Sequence, residues 1–172
     1  MIFAKINASK GKDQSMLRIK NIILSLFFIG NIPWAPGTWG SLATMILFYP
    51  FLNVLTPLSL SFILLMIFLV SWPLTHQSIA TSSNKDPSWI VIDEFLGQGL
   101  SLLILMIFCD LSDILLLLSF VSFRFFDITK IQPARYFDSQ HSALGLILDD
   151  LVAGFYSGFF TVICCQLYIT LL

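Results

Sequence analysis

The stretch LGLILDDLVAGFYSGFF, residues 144–160, places two adjacent carboxylates, Asp149 and Asp150, at the start of a long apolar run. No further charged residue occurs between these two residues and position 171. About 20 apolar residues are enough for a helix to cross the hydrocarbon core of a bilayer. Charged residues at membrane depth are rare and usually mark a functional site. The stretch therefore predicts a membrane helix with chemistry at its beginning.

The composition of the whole chain agrees with a membrane environment. Of the 172 residues, 57% are hydrophobic and only 11% are charged, whereas a soluble domain carries about 25% charged residues. The net charge of −1 gives no indication of a nucleic-acid partner. The three cysteines, Cys109, Cys164 and Cys165, show no metal-binding spacing. We interpret them as small apolar residues.

Apolar runs divide the chain into helices. A short run at 22–29 is followed by five longer ones, at 41–56, 58–75, 95–110, 113–126 and 150–171. The short run cannot span a bilayer and is interpreted as an interfacial or re-entrant segment. We predict an all-α polytopic membrane bundle of about five membrane-spanning helices. It comprises a polar cytoplasmic tail at 1–20 and a single membrane-embedded catalytic domain at 21–172.

Basic residues predict the orientation of the bundle. If the N-terminus is cytoplasmic, five crossings place every lysine and arginine on the cytoplasmic side. These residues are Lys5, Lys10, Lys12, Arg18, Lys20, Lys85, Arg124, Lys130 and Arg135. The pattern predicts a multi-pass protein of the cytoplasmic membrane whose C-terminus lies on the opposite side.

Acidic residues gather on the same predicted side. Asp93 and Glu94 open one helix, Asp127 closes another, and Asp149 and Asp150 open the last. Clustered carboxylates repel one another unless a cation joins them, and Mg²⁺ prefers oxygen ligands. Interaction with the positive end of a helix would explain Asp93 or Asp149 alone. It explains Asp127 poorly, because that residue lies near the negative end of its helix.

Basic and hydroxyl side chains beside this cluster suggest that it binds phosphate. Arg124 and Lys130 share a helix face with Asp127, and both side chains suit phosphate oxygens. The alternative is a surface ion-pair ladder, or side chains that snorkel to lipid headgroups. In PGTWGSLA, residues 36–43, a helix begins that Thr38 or Ser41 can cap, and its free N–H groups attract anions.

Four motifs occur in order: PGTWGSLA at 36–43, IVIDEFLGQ at 90–98, FRFFDITK at 123–130 and GLILDDLVAG at 145–154. Together they resemble the phosphatidylglycerophosphatase A family over roughly residues 30–172. The resemblance implies a bacterial inner-membrane enzyme that requires Mg²⁺. Such an enzyme removes the terminal phosphate of phosphatidylglycerophosphate, and its site faces the cytoplasm. The chain departs from the family pattern at Ile131, Gln132, Ser142 and Ala143.

We therefore predict the following site. The metal ligands are Asp93, Glu94, Asp127, Asp149 and Asp150. The catalytic residues are Glu94, Asp127, Asp149 and Asp150. Asp150 is the candidate base, and direct attack of an aspartate on the phosphate is the alternative. The substrate-binding residues are Thr38, Ser41, Arg124, Lys130 and His141, the last as a proton carrier. The predicted partners are the lipid substrate and the bilayer, with no nucleic acid and no obligate protein partner.

Two other functional classes remain open at this point. In a cation transporter or channel, the carboxylates would line an ion path. In a structural membrane subunit, they would bind a cytosolic partner. The position of the acids on one side of the membrane, with none near a helix centre, argues against the ion path.

Overall fold

The computed structural model describes residues 17–82 and 87–171. Within these ranges the chain is helical and contains no strand, which confirms the predicted all-α class. Residues 17–24 are helical, and 3₁₀ turns occur at Ile29–Asn31 and Tyr49–Phe51. The helices that follow are α1 (Pro36–Phe48), α2 (Pro57–Thr81), α3 (Ile92–Phe108), α4 (Asp113–Thr129), α5 (Ala134–Asp138) and α6 (Ala143–Leu171). Most of the predicted polar tail, together with Lys5, Lys10, Lys12 and Lys85, lies outside the described residues.

In the described part of the chain, two helices are long and apolar enough to cross a membrane. These are α2, with 25 residues, and α6, with 29 residues. The other predicted spans correspond to shorter helices, since α3 and α4 have 17 residues each and α1 has 13. Five full-length spans are therefore not confirmed. The run at 41–56 does not continue as one helix, because α1 ends at Phe48 and a 3₁₀ turn containing Pro50 follows it.

Helix starts differ from the predicted ones at two places. Ser142 lies just before α6, and its Oγ accepts a hydrogen bond of 3.0 Å from the Gly145 N–H in the first turn of that helix. Asp149 and Asp150 therefore lie well inside α6 rather than at its start. Neither Thr38 nor Ser41 caps α1, because its N-cap residue is Ala35, which makes no side-chain capping bond. Ser142, the serine that caps α6, is thus one of the positions at which the chain departs from the family pattern.

The short run at 22–29 does not form one helix. The helical segment ends at residue 24, and Leu26, Phe27 and Phe28 then adopt left-handed backbone conformations with φ values of 49°, 55° and 70°. The carbonyl of Leu24 accepts a hydrogen bond of 2.9 Å from the Val91 N–H. This bond attaches the N-terminal segment to the residue just before α3.

Two glycines allow a close approach between α3 and α6. A Cβ added to Gly154 would collide with the carbonyl of Gly97, and a Cβ added to Gly97 would meet the Asp150 carbonyl and the Phe123 ring. Small residues let helix backbones approach closely in membranes. Gly97 lies one turn after Asp93, and Gly154 lies one turn after Asp150. The approach therefore brings these two carboxylates together.

A buried polar network also joins the central helices. The Ser101 Oγ lies 2.9 Å from both the Ser119 Oγ and the Ser157 Oγ. The Gln98 Nε2 donates to the Ser119 Oγ at 3.2 Å. These four side chains are fully buried and belong to α3, α4 and α6. Hydrogen bonds between helices contribute about 0.6 kcal/mol each in membranes. The network therefore contributes little to stability and mainly fixes the orientation of the three helices relative to one another.

Gly154→Ala is expected to lower the free energy of unfolding by about 1–3 kcal/mol, because the added methyl group meets backbone atoms of Gly97 that cannot move aside. The carboxylates on α3 and α6 should move apart as well, since the two helices then separate beside them. Thermal unfolding of the purified protein in detergent measures the first effect. The comparison variant is Gly158→Ala, where the new methyl group meets the Cβ and side-chain atoms of Ile104 at 2.8–3.1 Å rather than a backbone carbonyl oxygen at a shorter distance, so that it should lose less stability. Equal losses in the two variants would contradict the proposed role of the glycine contact.

Candidate active site

A cavity of about 260 Å³ lies where α3 begins and α4 ends. All five predicted carboxylates and both predicted phosphate-binding bases line it. Its lining residues are Ala35, Pro36, Gly37, Ser88, Ile90, Asp93, Glu94, Arg124, Asp127, Lys130, Leu146, Asp149 and Asp150. Residues from four separate sequence motifs thus meet at one end of the bundle.

Arg124 is held by two neighbours inside this cavity. One of its terminal nitrogens, Nη1, lies 2.6 Å from the Asp127 Oδ2, one turn later on α4. The same nitrogen donates to the Ser41 Oγ at 3.3 Å. The Ser41 hydroxyl in turn donates to the Gly37 carbonyl at 2.8 Å. The guanidinium is therefore fixed between α4 and the first turn of α1.

Lys130 is the second base, and two carboxylates hold it. It follows α4 in a left-handed conformation, with a φ of 45°. Its Nζ donates to the Asp149 Oδ2 at 2.7 Å and also to Asp138 on α5. Burial lowers the pKa of Lys130, but the hydrogen bonds to Asp138 and Asp149 outweigh this effect and hold the pKa above its usual value. Lys130 therefore stays charged throughout the physiological pH range.

The remaining carboxylates, Asp93, Glu94 and Asp150, form a compact group. One oxygen from each can be chosen so that all three lie within 4.8 Å of one another. Among residues 17–82 and 87–171, no basic side chain pairs with any of the three. Asp93 and Asp150 are 4% and 5% exposed. Buried carboxylates of like charge are costly unless a cation compensates them.

Two buried carboxylate oxygens lack any hydrogen-bond partner in the described part of the chain. They are the Glu94 Oε2 and the Asp149 Oδ1. An unsatisfied buried acceptor costs about 1–3 kcal/mol. The Glu94 Oε2 belongs to the group of three close carboxylates, whose oxygens are the ligands that a hard divalent cation such as Mg²⁺ prefers. The five predicted ligands thus separate into three unpaired carboxylates and two, Asp127 and Asp149, that are paired with bases.

The first turn of α1 completes the wall of the cavity. Ala35 is left-handed, with φ 46° and ψ 56°, and the helix begins at Pro36. A Cβ on Gly37 would collide with the Glu94 carboxylate and would lie 3.2 Å from the Arg124 Nη1. A side chain at position 37 would therefore displace the Glu94 carboxylate from its position in the cavity. N–H groups at a helix start favour bound anions such as phosphate.

Three residues predicted to bind substrate do not line the cavity. Ser41 is fully buried behind Arg124. The backbone N–H of Thr38 donates to the Ala35 carbonyl, and its side chain is not part of the cavity wall. His141 is exposed, with a left-handed φ of 47°, and also lies outside the wall. The structure thus brings together seven of the ten predicted site residues.

Two residues that the sequence did not suggest belong to this region. Ser88 lines the cavity, and Asp138 holds Lys130. Asp138 is on α5, a helix of five residues that no apolar run predicts. Lys130 follows the end of α4, and a separate helix begins at Ala134, so the folded loop between them brings Asp138 to Lys130. The same loop is attached to α6 by a hydrogen bond of 2.7 Å from the Tyr156 hydroxyl to the Gln132 carbonyl.

Comparison with known proteins identifies clear relatives. The model of the family described as phosphatidylglycerophosphatase A matches residues 22–165. The chain is 35% identical to a Haemophilus influenzae phosphatidylglycerophosphatase A, covering 85% of this chain and 88% of the relative. It is 32% identical to the Escherichia coli protein of the same name, covering 83% and 84%. It is also 31% identical to a Bacteroides thetaiotaomicron protein provisionally named phosphatidylinositol-3-phosphatase, covering 76% and 84%. No solved structure matches the chain.

Proposed function

Since this chain belongs to the phosphatidylglycerophosphatase A family and is therefore a phosphatase, we propose that it hydrolyses phosphatidylglycerophosphate to phosphatidylglycerol and inorganic phosphate. One observation links this activity to the residues of the cavity. A single cavity combines three carboxylates that lack a basic partner with two bases that are already oriented. Phosphate-monoester hydrolysis needs both a binding site for phosphate oxygens and a way to activate water.

We assign the Mg²⁺ site to Asp93, Glu94 and Asp150. Their close oxygens and the unpartnered Glu94 Oε2 support this assignment. A bound Mg²⁺ would polarise the phosphate and lower the pKa of a coordinated water molecule. Asp127 and Asp149 are not needed as ligands, because each already compensates the charge of a base.

Arg124 and Lys130 bind the phosphate in this mechanism. Arg124 offers a planar set of N–H donors, and Lys130 offers a compact charge. Their partners, Asp127 and Asp149, keep both side chains directed into the cavity before substrate arrives. Such preorganised cations stabilise the charge that develops in the transition state.

Asp149 is the proton acceptor that we propose. Its Oδ2 is held by Lys130 at 2.7 Å, while its Oδ1 is buried and has no partner in the described residues. The free oxygen is suited to accept a proton from the attacking water. Asp150 instead belongs to the carboxylate group that holds the cation. The two adjacent aspartates therefore have different roles, because successive helical residues point about 100° apart.

The lipid substrate explains the position of the cavity at one end of the bundle. We propose that the protein is a multi-pass protein of the bacterial cytoplasmic membrane and that the cavity faces the cytoplasm. Lys20 supports this orientation, because its Nζ contacts the Gln77 Oε1 near the end of α2 that the positive-inside rule places in the cytoplasm. The acyl chains can then remain in the bilayer while the terminal phosphate reaches Arg124 and Lys130.

Phosphate release by the purified full-length protein tests this function. In detergent micelles we expect release from phosphatidylglycerophosphate with Mg²⁺ and almost none after chelation by EDTA. Phosphatidylinositol 3-phosphate, suggested by the name of the third relative, is the comparison substrate and should react more slowly. Absence of release from phosphatidylglycerophosphate would contradict the assigned substrate. Release that is unaffected by EDTA would contradict the metal site.

A transport function is not favoured. The relatives reported above all have phosphatase names. A flux measurement in proteoliposomes separates the two classes. We expect no movement of Mg²⁺ across a bilayer that contains the protein at an activity sufficient for phosphate release.

A further inference from the structure

An apolar groove lies between α2 and α3. Its volume is about 390 Å³, which is within the range of cavities that hold small ligands. The segment at 23–27, the end of α1, the middle of α2 and the start of α3 form its walls. All nine residues that line it are apolar. The groove is therefore suited to a hydrocarbon ligand rather than to a polar one.

This apolar groove has a buried floor and an open rim. Ile92 and Phe95 form the floor and are only 3% and 2% exposed. Leu47, Met66 and Val70 form the rim and are each about half exposed. Since α2 is long and apolar enough to cross a membrane, its exposed side faces hydrocarbon in the proposed topology. An apolar chain can enter from the bilayer without losing a hydrogen bond, whereas a polar ligand would lose its hydrogen bonds with water.

The first turn of α3 separates the groove from the catalytic cavity and forms a wall of both. Asp93 and Glu94 line the cavity, whereas Ile92 and Phe95 line the groove. Successive helical residues point about 100° apart, so these pairs lie on opposite sides of a helix that is about 10 Å wide. The proposed substrate carries two phosphates joined through a glycerol, and its acyl chains follow the second phosphate. A head group of this length can reach across one helix.

α1 also borders both spaces. Pro36 and Gly37, in its first turn, line the cavity, and Leu47, near its end, lines the groove. Phe48, the last residue of α1, packs against Phe95 on α3 with 5.5 Å between the ring centroids. α1 and α3 together thus form walls of the cavity and of the groove, and one lipid molecule can occupy both.

The segment before α1 lines the groove with a strained backbone. Leu26 and Phe27 adopt left-handed conformations, with φ values of 49° and 55°, which cost free energy in residues other than glycine. The Ser25 Oγ holds this turn, because it accepts a hydrogen bond of 3.0 Å from the Phe28 N–H. Strained residues persist where surrounding contacts fix them, and they cluster at ligand sites. Here the strained turn directs two large apolar side chains to the groove.

We propose that this groove binds one acyl chain of the phospholipid substrate. The inference rests on the proposed function for the identity of that lipid. The apolar lining selects a hydrocarbon chain, and the shared walls place this chain beside the cavity that receives the terminal phosphate. The bound chain supplies binding energy at a distance from the reacting phosphate. A substrate with long acyl chains is therefore bound more tightly than one with short chains.

Val70→Trp tests the proposal, because the larger side chain fills the groove from its rim. Val121→Trp on α4 is the matched control, since it makes the same change outside the groove at a residue of similar exposure, 54% against 47%. In detergent micelles, Val70→Trp should raise the KM for dipalmitoyl phosphatidylglycerophosphate by about ten-fold, because the filled groove excludes the chain, and should leave kcat unchanged. The KM for the dihexanoyl substrate, whose chains fill little of the groove, should stay within about two-fold in both variants.

A second measurement does not require turnover. Phosphatidylglycerol, the proposed product, carries the same acyl chains, and a diazirine on one chain labels neighbouring residues on illumination. The full-length protein is placed in phosphatidylcholine vesicles that contain this probe. Peptides with Met66 and Phe95 should be labelled in the unaltered protein and in Val121→Trp, and about ten-fold less in Val70→Trp, where the chain is excluded. Met66→Trp, at another position on the rim, is an independent variant and should lose the label on Phe95.

Either of two results would overturn the proposal. One is a rise in KM in Val70→Trp that is equal for the long-chain and short-chain substrates. The other is labelling of the groove peptides that persists in Val70→Trp, which would show only ordinary contact with bilayer lipids. If no substrate releases phosphate while the labelling follows the expected pattern, the groove binds an acyl chain and only the assigned reaction is wrong.

Discussion

Asp150→Asn is expected to lower the rate of Mg²⁺-dependent phosphate release by at least about a thousand-fold, which corresponds to about 4 kcal/mol in the transition state. The physical reason is the loss of one of three charges in the group that Asp93 and Glu94 complete. An amide retains a neutral oxygen ligand but not the negative charge that attracts a hard cation. Initial rates over a range of Mg²⁺ concentrations measure the effect.

Stability should change in a different direction from activity. Without Mg²⁺, Asp150→Asn should be as stable as the unaltered protein or more stable, because it removes an uncompensated charge from a site that is only 5% exposed. With Mg²⁺ at about 100 times its dissociation constant, the unaltered protein should gain about 2.7 kcal/mol. The variant should gain almost nothing. Thermal unfolding with Mg²⁺ and with EDTA separates a lost ligand from a misfolded protein.

The adjacent residue is the matched control. Asp149→Asn should also lose most of its activity, because the proposed proton acceptor is gone and Lys130 loses one partner. It should nevertheless keep the stabilisation by Mg²⁺. If the two variants lose this stabilisation equally, the assignment of separate roles to Asp149 and Asp150 is wrong. If Asp150→Asn retains near-normal turnover, the metal site is wrong.

Arg124→Lys is expected to lower kcat/KM by about a hundred-fold, although the positive charge is retained. A lysine ammonium is a point charge and cannot keep the planar set of donors that Arg124 presents. It also cannot reproduce the contacts of Arg124 with both Ser41 and Asp127 while it binds phosphate. Arg124→Gln, which removes the charge, should lose about a thousand-fold, comparable to the removal of a preorganised donor in other enzymes.

Ser41→Ala is the graded control for this prediction. It removes only the hydroxyl that accepts from Arg124, and a typical hydrogen bond contributes about 0.5–1.5 kcal/mol. We expect a loss of about two- to ten-fold in kcat/KM, with Mg²⁺ stabilisation unchanged. Wild-type rates in Arg124→Lys, together with unchanged KM, would show that the guanidinium does not bind the phosphate.

The amino-acid sequence was sufficient for the helical class and for the charged residues that line the cavity. Apolar runs are local, and they coincide with α2, α3, α4 and α6 because burial and backbone hydrogen bonding in an apolar medium both favour helices. The four motifs already contained every carboxylate and both bases of the cavity. The helix ends were harder to predict from the sequence, since α6 begins at Ala143, well before Asp149, and the Pro50 turn shortens the first predicted span.

Only the tertiary structure shows which carboxylates form the group without a basic partner and which are paired with Arg124 or Lys130. From the sequence, Asp149 and Asp150 are two like charges side by side, and nothing local assigns them different partners. Their environments differ because the contact of Gly97 with Gly154 sets the rotation of α6 against α3. Asp150 then faces Asp93, while Asp149 faces Lys130. Contacts between residues far apart in the chain depend on helix rotation and loop closure. Periodicity within one helix carries no information about either.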